Sequence, residues 1–154
     1  MKRIIKPAFC VIGKEGNTDQ GEGFIQRLWE EANGRFDQVA ALAKLDENGN
    51  LAGVWGAMTD EKRRFLPWEE NFSKGLYLAG VECEADAQPP EGWVKWQIPG
   101  FEYLQAENKG DNVFADTLAY MQKNNIPLVG AVQELTVPTE NRHYLLFPVR
   151  VIEQ

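Results

Sequence analysis

The order of secondary-structure patterns along this chain occurs twice, and this repetition limits the fold more than any single motif does. Each half contains an extended pattern, an amphipathic helix pattern and two further strand patterns, separated by turns rich in glycine, proline and asparagine. We therefore expect two strand-helix-strand-strand units, at about residues 1–88 and 93–154, within a single domain. The patterns lie at about 4–14, 24–36, 51–58 and 76–84 in the first unit, and at about 93–106, 110–125, 128–137 and 143–152 in the second.

The first helix pattern indicates how the two units would join. Ile25, Trp29, Ala32 and Phe36 recur at helical spacing and form one apolar stripe, which needs an apolar sheet face to cover it. Two such units bury both faces if they pair about a pseudo-twofold axis, and a junction of this kind is a common place for a ligand pocket. The expected fold class is α+β, with a mainly antiparallel sheet, two principal helices and a pocket at the junction.

The charge of the chain excludes several classes of partner. It has 23 acidic and 16 basic side chains, so its formal net charge is −7 at pH 7. Contacts with phosphate backbones or anionic lipid need clustered lysine or arginine. We therefore expect neither direct nucleic-acid binding nor membrane binding.

Targeting patterns and cysteine content favour a cytoplasmic location. Lys6, Pro7 and Gly13 interrupt the first apolar stretch before it reaches the ~7–15 residues of a signal peptide, and no stretch approaches a membrane span of ~18 residues. Cys10 and Cys83 are the only cysteines, and we expect both to be reduced thiols in the core.

Motifs for cofactors and catalysis are not evident in the sequence. His143 is the only histidine, which is too few for a zinc site, and it lies in a strand pattern that favours a surface position over a nucleophile triad. The glycines between residues 13 and 23 match neither dinucleotide nor phosphate-loop spacing. We expect no metal, no cofactor and no catalytic residue.

Glu134, a carboxylate within an apolar strand pattern, is the first candidate for chemistry. If the hairpin loop covers 138–142, paired residue numbers sum to about 280, which places Glu134 opposite Leu146 and on the face of Val132 and Tyr144. An unpaired carboxylate on an apolar face is costly, so it would have a raised pKa or a cationic ligand. The alternative is that Glu134 points to solvent on an open sheet face.

Aromatic side chains are the second candidate feature, with five tryptophans, four tyrosines and eight phenylalanines. Aromatic rings attract organic cations at about 0.5–2 kcal/mol each, without directional hydrogen bonds. Together with a strand carboxylate and a negative chain they indicate a site for lipophilic cations, although any single ring also fits ordinary core packing. The rings on strand patterns or in the long loop are Trp55, Trp68, Tyr77, Trp93 and Trp96, and Trp29 lies on the helix stripe.

Four segments of the chain match motifs of a known family. They are Leu-Trp-Glu-Glu-Ala at 28–32, Gly-Val-Trp-Gly-Ala-Met at 53–58, Gly-Trp-Val-Lys-Trp-Gln-Ile-Pro-Gly at 92–100 and Tyr-Leu-Leu-Phe-Pro-Val-Arg at 144–150. These segments resemble the GyrI-like small-molecule-binding domains, also known as the effector-binding domains of AraC-type and MerR-type multidrug regulators. The resemblance extends from about Lys6 to Arg150 and is greatest to stand-alone integron cassette effector-binding proteins.

The resemblance implies a pocket at the junction of the two units, with an acidic residue on the penultimate strand that corresponds to Glu134. The aromatic pocket residues that it implies are Trp29, Trp55, Tyr77, Trp96, Tyr103 and Phe147. The predicted hairpin register instead places Tyr144, and not Phe147, on the face of Glu134, so Tyr144 is a further candidate pocket residue. Trp68, in the loop at 59–74, is another. In the regulators this domain is fused to a helix-turn-helix, which we do not find here, so direct DNA control is not expected and a transcription regulator is a candidate protein partner.

Three functions remain open at this point. The leading one is binding of lipophilic organic cations, with Glu134 countering the charge. The second is hydrolysis of reactive small molecules, since the resemblance includes such enzymes, with Glu134 and a nearby tyrosine, Tyr144 or Tyr103. The third is docking on a macromolecule, as in the gyrase-inhibitor members. The sequence determines neither the natural ligand, nor the oligomeric state, nor whether the 59–74 loop closes over the pocket.

Overall fold

Within residues 1–152, which the computed structural model describes, eight strands form one antiparallel sheet that curls into a half-barrel, accompanied by three helices. The expected α+β class is confirmed. The strands are Lys2–Lys6 (β1), Phe9–Asn17 (β2), Val54–Thr59 (β3), Leu76–Cys83 (β4), Val94–Ile98 (β5), Phe101–Glu107 (β6), Gln133–Val137 (β7) and Arg142–Val151 (β8). The helices are Phe24–Gly34 (α1), Glu69–Phe72 (α2) and Val113–Lys123 (α3), and short 3-10 turns lie at Thr18–Gln20, Phe36–Gln38 and Ala40–Leu42.

The strand order has the expected pseudo-twofold arrangement. It is β1-β6-β8-β7-β3-β4-β2-β5, so the unit β2-α1-β3-β4 meets the unit β6-α3-β7-β8 where β3 pairs with β7, at the centre of the sheet. The extended pattern at 4–14 is two strands rather than one. Pro7 separates them because proline has no amide hydrogen for the ladder, and β1 then pairs with β6 of the other unit. In the same way β5 pairs with β2, so the leading strand of each unit lies beside the other unit.

Both long helices pack on one face of the sheet, which we call the helix face. Phe24, Leu28 and Ala32 of α1 are buried against β2 and β4, and Met121 of α3 is buried against β6 and β8. Because each helix lies over the outer strands of its own unit, a cleft remains between them over β3 and β7. We call it the inter-helix cleft.

The opposite face, which we call the back face, carries a separate apolar core. Side chains alternate between the two faces along each strand, so the residue that follows a helix-face position points to the back face. This core contains Trp55, Trp96, Tyr103 and Leu146 among its buried members. The two cysteines lie on the helix face, where Cys10 and Cys83 are buried free thiols directly opposite each other on β2 and β4.

Candidate functional site

Glu134 lies at the centre of the sheet, at the floor of the inter-helix cleft. Its partner on β8 is Leu145, so the predicted pairing with Leu146 is wrong by one residue. The physical reason is the length of the hairpin loop. The turn occupies only residues 138–141, because Arg142 already pairs with Val137 as the first residue of β8.

The corrected register changes which β8 side chains share a face with Glu134, since a one-residue shift reverses the facing of every side chain. Tyr144 pairs with Leu135 and lies on the back face, contrary to the register expectation. Phe147 lies on the helix face in the same buried cluster as Leu145, which agrees with the position that the family resemblance implied.

A chain of two hydrogen bonds connects α1 to Glu134. The Trp29 Nε1 donates to the Tyr77 Oη at 3.0 Å, and the Tyr77 Oη donates to the Glu134 Oε1 at 2.6 Å. The rings of Trp29 and Tyr77 meet edge to face, with centroids 6.5 Å apart. One residue from each of α1, β4 and β7 therefore converges at the cleft floor.

Gly56 makes the contact between Tyr77 and Glu134 possible. Tyr77 is on β4 and Glu134 is on β7, so their side chains meet across the intervening strand β3. Gly56 is the residue of β3 that pairs with Glu134, and a Cβ atom there would collide with both the Tyr77 Oη and the Glu134 Oε1. The absence of a side chain at this position leaves the space that the hydrogen bond occupies.

Burial governs the protonation of both partners. It raises the pKa of the Glu134 carboxyl above its usual range, although the hydrogen bond from Tyr77 and the nearby His143 oppose the rise. Burial and the facing carboxylate also raise the pKa of Tyr77 far above its ordinary value, so the tyrosine stays a neutral donor. Among the residues that the structure describes, none donates to the second oxygen of Glu134, Oε2, which leaves it available to a ligand.

The walls of the inter-helix cleft beside Glu134 combine apolar and polar residues. Here the cleft has a volume of about 370 Å³, and Asp111 adds a second carboxylate at its rim. None of the lining residues in the described part of the chain is lysine or arginine. The remaining lining residues are Met58, Asn108, Gly110, Phe114, Val132 and Leu145.

An aromatic recess of about 150 Å³ continues the cleft toward the long loop and shares Met58, Phe114 and Val132 with it. Trp68 and Phe72, at the two ends of α2, close this recess, and the Phe72 ring meets the Phe114 ring edge to face at 5.3 Å. The loop therefore packs over one end of the cleft.

The structure brings some of the predicted site residues together and separates others. Trp29 and Tyr77 join Glu134, Trp68 lines the aromatic recess, and Phe147 lies behind Phe114 at a centroid distance of 5.7 Å. The other four lie on the back face, away from Glu134: Trp55, whose Nε1 donates to Glu82; Trp96, whose Nε1 donates to Glu15; Tyr103, which is fully buried; and Tyr144.

Several cleft residues were not identified from the sequence, namely Met58, Phe114, Leu145 and Asp111. Phe114 had a readable signal, because it belongs to the apolar positions of the second helix pattern, one turn after Gly110. Asp111 had none, since an acidic residue at a helix start is also an ordinary electrostatic preference.

The described residues also bear on the expectations about metal and membrane sites. Across residues 1–152 no group of three histidine, cysteine or carboxylate side chains could hold a metal ion. No helix in that range has both the length and the hydropathy needed to span a membrane.

Neither the protein-family models nor the curated protein sequences match this chain, whereas several solved structures do. The structure of SAV2435 bound to tetraphenylphosphonium is similar with a TM-score of 0.67 and 16% identity, over 97% of this chain and 93% of that one. The C-terminal domain of EcmrR gives a TM-score of 0.63 and 13% identity, over 98% of both chains. The integron cassette protein VCH_CASS2 from Vibrio cholerae has a TM-score of 0.52 and 16% identity, over 97% of this chain and 95% of that one.

These similarities concern the fold, because the sequence identities are low. They extend over nearly the whole of each chain, and they include an integron cassette protein, the group to which the sequence motifs bore the greatest resemblance. The chain therefore has the fold that the GyrI-like resemblance implied.

The close approach at Gly56 can be tested by stability measurements. We expect Gly56→Ala to lower the free energy of unfolding by ~1–3 kcal/mol, as overpacking does, because the added methyl group meets Tyr77 and Glu134. Gly34→Ala at the end of α1 is the matched control, since no atom lies near its Cβ position. In a Tyr77→Phe background the penalty should shrink, because the colliding hydroxyl is gone. An unchanged penalty in that background would contradict the proposed contact.

The raised pKa of Glu134 predicts a distinct pH dependence of stability. The native state binds this proton up to a higher pH than the unfolded chain does, so the stability linked to it is present at low pH and lost as the pH rises through the raised pKa. Glu134→Gln keeps an acceptor for Tyr77 without the charge, so above that pKa it should unfold at higher urea concentration than wild type. The difference should vanish at low pH. Parallel profiles for the two proteins would show that Glu134 is not penalised by burial.

Proposed function

We propose that this protein binds lipophilic organic cations in the inter-helix cleft, with Glu134 as the counter-charge. The observation that carries the proposal is the setting of Glu134: a partly buried carboxylate whose hydrogen-bond donor, Tyr77, is neutral. A buried carboxylate without a positive partner is costly. A bound cation supplies the partner that the cleft lining lacks.

The aromatic walls support an organic rather than a small inorganic cation. Phe72, Phe114 and Trp68 present ring faces or edges around the recess next to Glu134. Rings attract diffuse positive charge and bury apolar substituents without directional hydrogen bonds, so they accommodate cations of different shapes. A small metal ion would instead need several oxygen, nitrogen or sulfur ligands.

The comparison with SAV2435 adds independent support. That protein shares this fold and was solved with tetraphenylphosphonium, a permanently charged cation with four phenyl rings. The fold therefore accommodates a ligand of the proposed class in at least one protein.

Calorimetric titration with tetraphenylphosphonium tests the role of Glu134. Wild type should bind, and Glu134→Gln should bind at least ~10-fold more weakly, equivalent to ~1.4 kcal/mol, because the counter-charge is removed while the shape is kept. Glu22→Gln is the matched control, since Glu22 is exposed and lines none of the cavities described here. Tetraphenylborate, an anion of nearly the same shape, should bind wild type more weakly than it binds Glu134→Gln. Equal affinities of wild type and Glu134→Gln for the cation would exclude this role.

The same titration has a predicted pH dependence. Tetraphenylphosphonium does not titrate, so any pH effect comes from the protein. Its affinity for wild type should fall as the pH drops through the raised pKa of Glu134, because the protonated carboxyl carries no charge. The affinity of Glu134→Gln should stay nearly constant over that range.

Hydrolysis is a second candidate function, and one observation favours it. The mechanism needs a tyrosine within hydrogen-bond distance of Glu134. Tyr77 meets that condition at 2.6 Å, whereas the candidates from the sequence, Tyr103 and Tyr144, lie on the back face. A carboxyl with a raised pKa next to a neutral tyrosine is suited to general acid–base work.

Turnover of an electrophilic substrate, such as an aryl epoxide or a p-nitrophenyl ester, decides this second candidate. Catalysis at this site predicts multiple turnovers by wild type and a loss of ~100-fold or more in both Tyr77→Phe and Glu134→Gln, as is usual for removal of a general acid or base. Saturable binding without turnover would leave cation binding as the sole candidate function of the cleft.

A further inference from the structure

A second cavity lies on the helix face, beneath the second half of α1. It has a volume of about 260 Å³ and is bounded by α1 above, by β2, β3 and β4 below, and by the segment after α1 at one end. We call it the α1 chamber. Its walls include Trp29, Ala32, Ile12, Val54, Val81 and Trp93.

A small residue helps to keep the α1 chamber open, because Ala32 forms part of its roof. The chamber is partly open to solvent, and most of its wall surface is apolar. An apolar cavity of only ~150 Å³ can stay dry and bind benzene, so the α1 chamber is large enough for an alkyl chain or a phenyl ring.

The chemistry of the lining determines what the α1 chamber can hold. Within the described part of the chain its walls contain no Lys, Arg, Asp or Glu. The indole N–H of Trp93 is already used, since it donates to the Gln38 Oε1 at 2.8 Å. The chamber therefore suits an uncharged apolar group and has no means of holding the charged end of a ligand.

The α1 chamber lies next to the Glu134 site, although the two cavities have no lining residue in common. Trp29 lines the chamber and also donates to Tyr77, so the chamber wall is two hydrogen bonds from the carboxylate. Val54 lines the chamber and lies on the same face of β3 as Gly56, two residues or ~7 Å along the strand from the partner of Glu134.

We infer that the α1 chamber is a compartment of the binding site that takes an uncharged arm of the ligand, an alkyl chain or single aryl ring, while the cationic end stays at Glu134. The inference rests on the proposed function and adds a ligand class to it, namely cations that carry an extended apolar arm. Trp29 is then the residue past which the arm enters. Its partly exposed ring can move at the loss of one hydrogen bond.

Two phosphonium ions with the same charged end test the inference by calorimetric titration. Methyltriphenylphosphonium has no arm, and heptyltriphenylphosphonium has one long enough to pass Val54. Each methylene that becomes buried contributes ~4-fold in affinity, so the heptyl compound should bind wild type at least ~10-fold more tightly.

Filling the α1 chamber separates specific burial of the arm from general hydrophobicity. Ala32→Phe places a ring in the chamber and should reduce the heptyl advantage to within ~2-fold, while the affinity for the methyl compound stays within ~2-fold of wild type. Ala119→Phe, on the exposed face of α3, is the matched control and should keep the full advantage. If Ala32→Phe does not fold, Ala32→Leu should reduce the advantage by a smaller factor.

The outcomes distinguish the two levels of the proposal. One outcome would overturn the inference about the α1 chamber and leave the proposed function standing. In that outcome the methyl compound binds in a manner that depends on Glu134, but the heptyl compound binds no more tightly, or its advantage is unaffected by the substitutions at residue 32. No binding of either compound would overturn both. A heptyl advantage lost only in the residue-32 variants would support both.

Discussion

The hydrogen bond from Tyr77 to Glu134 is the interaction on which the rest of the cleft depends. It joins β4 to β7 over the intervening strand, so it exists only because β3 has a glycine at the pairing position. Trp29 then orients the tyrosine from α1. In addition to the backbone pairing of β3 with β7, this hydrogen bond therefore links side chains of the two units, and the carboxylate lies at the floor of the cleft.

The charge state of these partners favours the proposed binding role over a role in internal stabilisation. Had a lysine or arginine occupied the place of Tyr77, Glu134 would form a complete ion pair and a ligand's charge would gain little. Such pairs exist elsewhere in the molecule, as between Asp60 and Arg64, where hydrogen bonds hold the pKa of the buried Asp60 carboxyl at about 2. Tyr77 instead contributes a neutral hydrogen bond and leaves the charge of Glu134 uncompensated.

The sequence predicts the architecture well, because periodicity reports the apolar faces of helices and strands directly. It also singled out Glu134 as a candidate, since a carboxylate in an apolar strand is conspicuous at any register, and its role in binding stays a prediction. The face to which each β8 side chain points could not be predicted in the same way, because it depends on whether Arg142 belongs to the hairpin loop or to β8. That one-residue difference decides whether Tyr144 or Phe147 lies on the same face as Glu134. The role of Gly56 was also hidden, because it depends on a contact between side chains from two other strands.

If the proposed function holds, the burial of Glu134 determines which ligands the cleft selects. In the free protein the carboxylate lies in surroundings that penalise its charge. A bound cation is attracted to the carboxylate and reduces that penalty, whereas a neutral molecule of the same shape does neither. An anion adds to the penalty. The apolar walls of the α1 chamber act without regard to sign, because they recognise area rather than charge. The rings around the recess also recognise area, and they add a weaker attraction for positive charge. Under the proposed function, selectivity for charge therefore rests mainly on one residue and tolerance of shape on many, which is the division of roles expected of a site that accepts a class of lipophilic cations rather than one compound.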